Sequence, residues 1–193
     1  MTLLLIYILT DWEMVAIINL HENNASELDL TKYCNKKINI LKRDWIKYKY
    51  CSLVSKEDKK LALKDLFYLH RIRRANFGSS NQFDDKRNID LYNYLIENLS
   101  NKNTQVNILY FDWEISAIHF WFLDDERSYH YKPTYNPKFH KHSPWMLLLH
   151  FMINEAKDKK LKYFDFLRWN ESYKLKLTNN IFYNATIKDD NWN

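Results

Sequence analysis

A chain of 193 residues with 46% hydrophobic and 17% aromatic side chains carries too much buriable surface to be disordered, and it has room for one domain with an appendage. The excess of 29 Lys and Arg over 24 Asp and Glu gives a net charge of +5, which suits an anionic partner, but the charges are scattered and no nucleic-acid motif accompanies them, which argues against nucleic acid. Cys34 and Cys51 are too few for a disulfide framework or a zinc site, which fits a cytoplasmic location.

In chain order, the apolar run at residues 3–9 is cut by Asp11 and Glu13 well short of the ~20 residues of a membrane span. It lacks a basic flank and a cleavage site, so it is expected to be a buried strand rather than a signal peptide. A polar Asn-rich link at 21–26 and a basic segment at 36–43 follow. Residues 1–45 are therefore read as an N-terminal segment, either a remnant of a first module or an extra strand and helix, ahead of a domain spanning 46–193.

A strand ending near Leu53 meets the capping pattern Ser55-Lys-Glu-Asp58, which opens a helix whose core face is Ala62, Leu66 and Leu69. His70, Arg71, Arg73 and Arg74 at its end complement the negative pole of the helix dipole before Gly78. A second helix over 87–99 places Leu91, Leu95 and Leu99 on its expected core face. Three strands at 106–111, 115–123 and 128–135 form an antiparallel meander. The middle one is apolar on both faces, so helices are expected on both sides of the sheet, with His119 as a core histidine.

After a loop bearing Pro137, Lys138, His140, Lys141 and His142, Ser143 is expected to cap a helix with Pro144 in its first position. Met146, Leu149, Ile153 and Ala156 form that helix's apolar face, and Lys157, Lys159 and Lys160 close it. The next stretch, LKYFDFLRWNESYK at 161–174, is an apolar strand interrupted by Asp165, which must meet a cation or lie near the strand's open end. Glu171, Tyr173 and Lys174 then bring an acid, a phenol and an amine together, which marks the stretch as the candidate site. A last strand alternates Ile181, Tyr183, Ala185 and Ile187.

The segments His142-Ser-Pro-Trp-Met-Leu-Leu148 and Asp165-Phe-Leu-Arg-Trp-Asn-Glu-Ser-Tyr-Lys174 resemble two motifs of the GNAT N-acetyltransferase superfamily, S-P-G-x-L-L and D-F-L-x-G-x-E-x-Y-K. The branch they resemble is the CelD/BcsL-like one, linked to cellulose and exopolysaccharide biosynthesis. The resemblance covers roughly 36–174 and includes the basic end of the first helix. Trp145 and Trp169 stand where the family pattern has glycine.

This resemblance implies an α/β GNAT-like fold, a mixed and mostly antiparallel central sheet with helices on both faces. It implies acyl transfer from acyl-CoA, with acetyl-CoA as co-substrate, to an amine or hydroxyl of a small molecule or glycan precursor. Glu171 is then the base or a carboxylate that positions the acceptor, Tyr173 the proton donor to the thiolate, Lys174 a charge holding an anionic acceptor or cofactor phosphate, and Asp165 the residue that holds the motif in shape. Lys138, Lys141, His142, Ser143, Trp145 and Met146 are the expected cofactor-binding residues, because the family seats the cofactor's pyrophosphate on a helix N-terminus. Two alternatives stand beside this reading: a Fem-type aminoacyltransferase, and a non-catalytic module in which Trp145 and Trp169 fill the former cleft.

Overall fold

The computed structural model describes residues 8–22, 25–76, 78–167, 171–178 and 180–188. Trp169 and the start of the apolar opening run lie outside them. The elements are β1 (Ile8–Asn19), α1 (Ala25–Arg43), β2 (Tyr48–Leu53), α2 (Lys56–Ala75), α3 (Lys86–Asn98), β3 (Thr104–Phe111), β4 (Glu114–Leu123), β5 (Arg127–Tyr135), α4 (Pro144–Asp158), β6 (Tyr163–Asp165), α5 (Ser172–Leu175) and β7 (Asn180–Lys188). Short 3-10 turns at Gln82–Asp84 and Pro137–His142 link them.

The strands form one seven-stranded sheet in the order β2-β3-β4-β5-β6-β1-β7. Every pairing is antiparallel except β5 with β6, which run parallel as the strand-helix-strand crossover through α4 requires. The N-terminal strand is an internal member of the sheet, seated between β6 and β7. Among the described residues no helix is long and apolar enough to cross a membrane.

Period-2 alternation along β3 and β4 feeds two separate cores. Val106, Ile108, Ile118 and Phe120 pack with Ala62, Leu66 and Leu69 of α2 and with Tyr92 and Ile96 of α3. Leu109, Phe111, Ala117 and Trp121 meet α4 through Leu149, Met152 and Ile153, and α1 through Leu30, Cys34 and Leu41. Helices therefore cover both faces. Each such buried Leu, Ile or Phe contributes about 1.5–3 kcal/mol of transfer free energy, so the two cores supply most of the drive to fold.

The basic segment 36–43 is the end of the 19-residue helix α1. Two sequence expectations are corrected. The buried face of α3 is Tyr92 and Ile96, while Leu91 and Leu99 are exposed at 45% and 36%. Ser143 does begin α4, but from the left-handed region (φ 52°) and without a side-chain cap, because its hydroxyl lies 2.7 Å from the Tyr33 hydroxyl on α1. Ser55, by contrast, caps α2 as its pattern predicts, its side chain accepting from the Asp58 N–H.

The one acid that α4 carries into the sheet is fully engaged. Glu155 accepts from Ser52 Oγ and Asn107 Nδ2 at 2.7 Å each, from Tyr50, and from Lys159 Nζ at 2.7 Å. Burial alone pushes its pKa up, but these donors outweigh burial and hold the carboxyl below its usual range.

Candidate active site

The site is made where two parallel strands part. Pairing of β5 with β6 runs through Arg127↔Tyr163, Ser128↔Phe164 and Tyr129↔Asp165 and then stops, although β5 continues to Tyr135. Asp165 ends β6 by folding back on its own chain: its Oδ1 accepts from the Leu167 N–H at 2.7 Å, and Leu167 takes a left-handed φ of 57°. Its Oδ2 pairs with Arg127 Nη1 at 3.0 Å, which compensates a carboxylate that is only 4% exposed. The expected cation partner of Asp165 is thus Arg127, and the pair locks the last rung before the strands diverge.

Beyond that rung lies a cavity of about 740 Å³, floored by His130 and Phe166 and walled by Tyr131, Lys132 and Pro133 of β5. The C-terminal end of α2 closes another side with His70, Arg73 and Arg74, and the loop at 80–82 a third. A bulge in β5 arranges this wall: Phe120 faces Lys132, whereas Phe122 faces Tyr129, so one extra residue sits between. His130 consequently turns toward His119, 4.2 Å away, and Phe166, 5.5 Å away, while Lys132 turns to Gln82, whose Oε1 it meets at 2.8 Å.

Three of the four expected catalytic residues, Glu171, Tyr173 and Lys174, line this cavity, and Asp165 braces it from behind. Lys174 is 4% exposed and donates to the Phe166 carbonyl at 2.9 Å and to Glu171 Oε2 at 2.7 Å, pinning the 171–174 turn over the end of β6. The Tyr173 ring stands edge-on to Trp145 (4.9 Å) and to Phe166 (6.4 Å). Burial first, and Glu171 second, push its hydroxyl pKa upward, so it is protonated at neutral pH.

The expected cofactor residues lie elsewhere, and none of the six lines the cavity. Lys138 pairs with Glu114 and covers Phe139. The Lys141 carbonyl accepts from Lys37 Nζ at 3.0 Å, and His142 is buried edge-on to Phe111. The first-turn N–H groups of Met146 and Leu147 bond to the Ser143 carbonyl, and the Met146 carbonyl accepts the Cys34 thiol at 3.5 Å. The Tyr33 hydroxyl on Ser143 and the Tyr173 ring against Trp145 flank the α4 N-terminus.

Five cavity residues escape the sequence reading: His70, Arg73, Arg74, His130 and Lys132. The arginines read as dipole complement, and Lys132 and His130 read as ordinary strand residues. A signal for the latter existed in the run of polar residues Ser128, His130 and Thr134, all buried on a strand that should have been apolar within. Neither ring nitrogen of His130 has a hydrogen-bond partner among the described residues, although the ring is 5% exposed. Burial, aided by Lys174, pushes its pKa down to about 3, so the imidazole is neutral.

The sequence profile of the acetyltransferase (GNAT) domain matches residues 43–175, more than half of the chain. No curated protein sequence matches it. Among solved structures, a conserved protein of unknown function from Bacteroides thetaiotaomicron aligns over 96% of this chain and 64% of its own, at 13% identity and a TM-score of 0.68. The C-terminal domain of a putative lysylphosphatidylglycerol synthetase from Agrobacterium fabrum aligns over 92% and 60%, at 10% identity and a TM-score of 0.63. FemX aligns over 88% and 59%, at 9% identity and a TM-score of 0.61. At such identities the likeness is one of fold, and the chain spans less than two thirds of each of these structures. The profile match decides the family: the chain belongs to the acetyltransferase (GNAT) domain family.

Proposed function

We propose that the chain is an acyl-group transferase that works in the β5–β6 cleft, passing an acyl group from an activated donor to an amine or hydroxyl of a small molecule or sugar precursor. The observation that carries this reading is the turn at 171–174, which sets a carboxylate, a protonated phenol and a pinned ammonium on the wall of a cavity opened between two parallel strands. An acceptor nucleophile must lose a proton as it attacks the acyl carbon, and the donor's leaving group must gain one. Glu171 takes the first proton, Tyr173 supplies the second, and Lys174 holds Glu171 in place. A cytoplasmic location and an exopolysaccharide precursor as acceptor belong to the same reading.

Acetyl-CoA is the donor that the family implies, and bound in the cleft it would supply the activated thioester. The side chains that flank the α4 N-terminus favour a second reading, a Fem-type aminoacyltransferase, which takes its acyl group from aminoacyl-tRNA instead of acyl-CoA. Calorimetric titration with acetyl-CoA separates the two. The acetyl-CoA donor is supported if the native chain binds it and Tyr173→Phe then slows transfer at least tenfold without loss of fold. Binding that appears only after Trp145→Gly identifies a cleft that the native chain keeps shut to this donor, and rejects it.

A further inference from the structure

The wall of the cleft opposite Glu171 has a charge imbalance that the transfer chemistry does not use. Arg73 lies over the Tyr135 ring at 5.1 Å, Arg74 donates to the Ser80 carbonyl at 3.3 Å, and Lys132 bonds only a neutral amide, Gln82. Among the described residues none of the three is in an ion pair. Among the described residues Glu171 is the single acid lining the cavity, and it is bound to Lys174. The cations are close enough to feel one another: burial, then Arg74 and Arg73, depress the Lys132 pKa, and Lys132 and both arginines act in the same direction on His70. Dipole complement at the end of α2 accounts for the two arginines, but not for a lysine on β5 that converges with them. Nor does it account for His130, a buried imidazole on the cavity floor whose two nitrogens have no hydrogen-bond partner among the described residues, an arrangement that costs free energy.

We infer that Arg73, Arg74 and Lys132, with His130 on the floor, form a binding site for the phosphate monoester group of a substrate of this cleft. Such a group carries close to two negative charges and several acceptor oxygens, which suits three converging cations that otherwise repel. A single carboxylate would leave most of that charge uncompensated. The inference rests on the cleft being the substrate site, but it concerns binding and is read without turnover.

The test is calorimetric titration of the folded native chain with inorganic phosphate, O-phosphoethanolamine and ethanolamine, and separately with coenzyme A and dephospho-coenzyme A. The expected result is that the phosphorylated amine binds at least tenfold more tightly than ethanolamine, and that Arg73→Gln and Lys132→Gln each remove about tenfold or more of that affinity at unchanged melting temperature. Preference for O-phosphoethanolamine places the phosphate on the acceptor, whereas a preference for coenzyme A over its dephospho form that both variants abolish places it on the donor. If neither phosphate-bearing probe outbinds its phosphate-free counterpart, or if the variants bind as the native chain does, the site does not exist, whether or not the chain transfers acyl groups.

Discussion

The N-terminal end of α4 and the cleft between β5 and β6 are joined through one side chain, Tyr173, whose ring meets Trp145 toward the helix and Phe166 toward the cavity. Their polar groups nevertheless differ. At the helix end the hydroxyl of Ser143, the carbonyl of Met146 and the N–H groups of Met146 and Leu147 have partners from the chain itself, whereas the buried His142 Nδ1 has no hydrogen-bond partner among the described residues. In the cleft, among the described residues, three cations have no carboxylate and the His130 imidazole has no hydrogen-bond partner. Satisfied groups hold a fold together; groups left unsatisfied at a cost of stability mark where something else binds. Of the residues that the family motif nominates, Lys138, Ser143 and Met146 are matched by the chain itself, while His142 keeps a buried nitrogen with no hydrogen-bond partner among the described residues.

Four measurements break or sharpen that contrast. The largest effect should come from Arg127→Met, which strands the buried Asp165 carboxylate that ends β6; a loss of about 3 kcal/mol in urea unfolding is expected. A change under about 1 kcal/mol would mean that the divergence of β5 and β6 does not depend on this pair.

Acidification should come next. His130 has a folded-state pKa near 3 against about 6.5 when unfolded, so the unfolded chain binds the extra proton and stability falls as pH drops below about 6.5. The loss reaches about 1.4 kcal/mol per pH unit, or roughly 2 kcal/mol by pH 5, and His119, also depressed chiefly by burial, acts in the same direction. Above pH 7 neither contributes. His130→Phe should flatten the melting profile between pH 7 and 5, and an unchanged slope would contradict a neutral buried imidazole.

Tyr33→Phe removes one hydroxyl contact at the closed helix end and should cost about 1 kcal/mol while leaving phosphate affinity unchanged. Lys138→Ala, at an exposed pair with Glu114, should shift stability by less than about 0.5 kcal/mol and phosphate affinity not at all. A large loss of affinity from Lys138→Ala would return the anion site to the loop before α4.

Much of the architecture is legible in the sequence because the hydrophobic period is strong. The meander at 104–135, the Ser55 cap and the sheet covered on both faces follow from pattern alone. The misreadings have physical causes. Among the described side chains of α1, Leu30, Cys34 and Leu41 are the buried ones, and lysines and asparagines between them mask the stripe. In α3 the leucines at four-residue spacing outshine Tyr92, whose ring fills the core against Phe67, Phe83 and Phe120.

At the site, Glu171, Tyr173 and Lys174 are visible because chemistry is dense within four residues. The opposite wall is invisible because α2 and β5 bring it together across long sequence separations. The β5 bulge also breaks the strict alternation between Tyr129 and Lys132, so a period-2 reading does not show that His130 and Lys132 reach the same cavity.

The most direct test of the central claim is to map backbone amide shifts of the native chain as inorganic phosphate is added. The account predicts saturable changes at residues 70–74, 130–133 and 171–174, with residues 143–147 unmoved. Changes confined to 143–147 would show that the α4 N-terminus, rather than the cleft, is the anion site, and would contradict it.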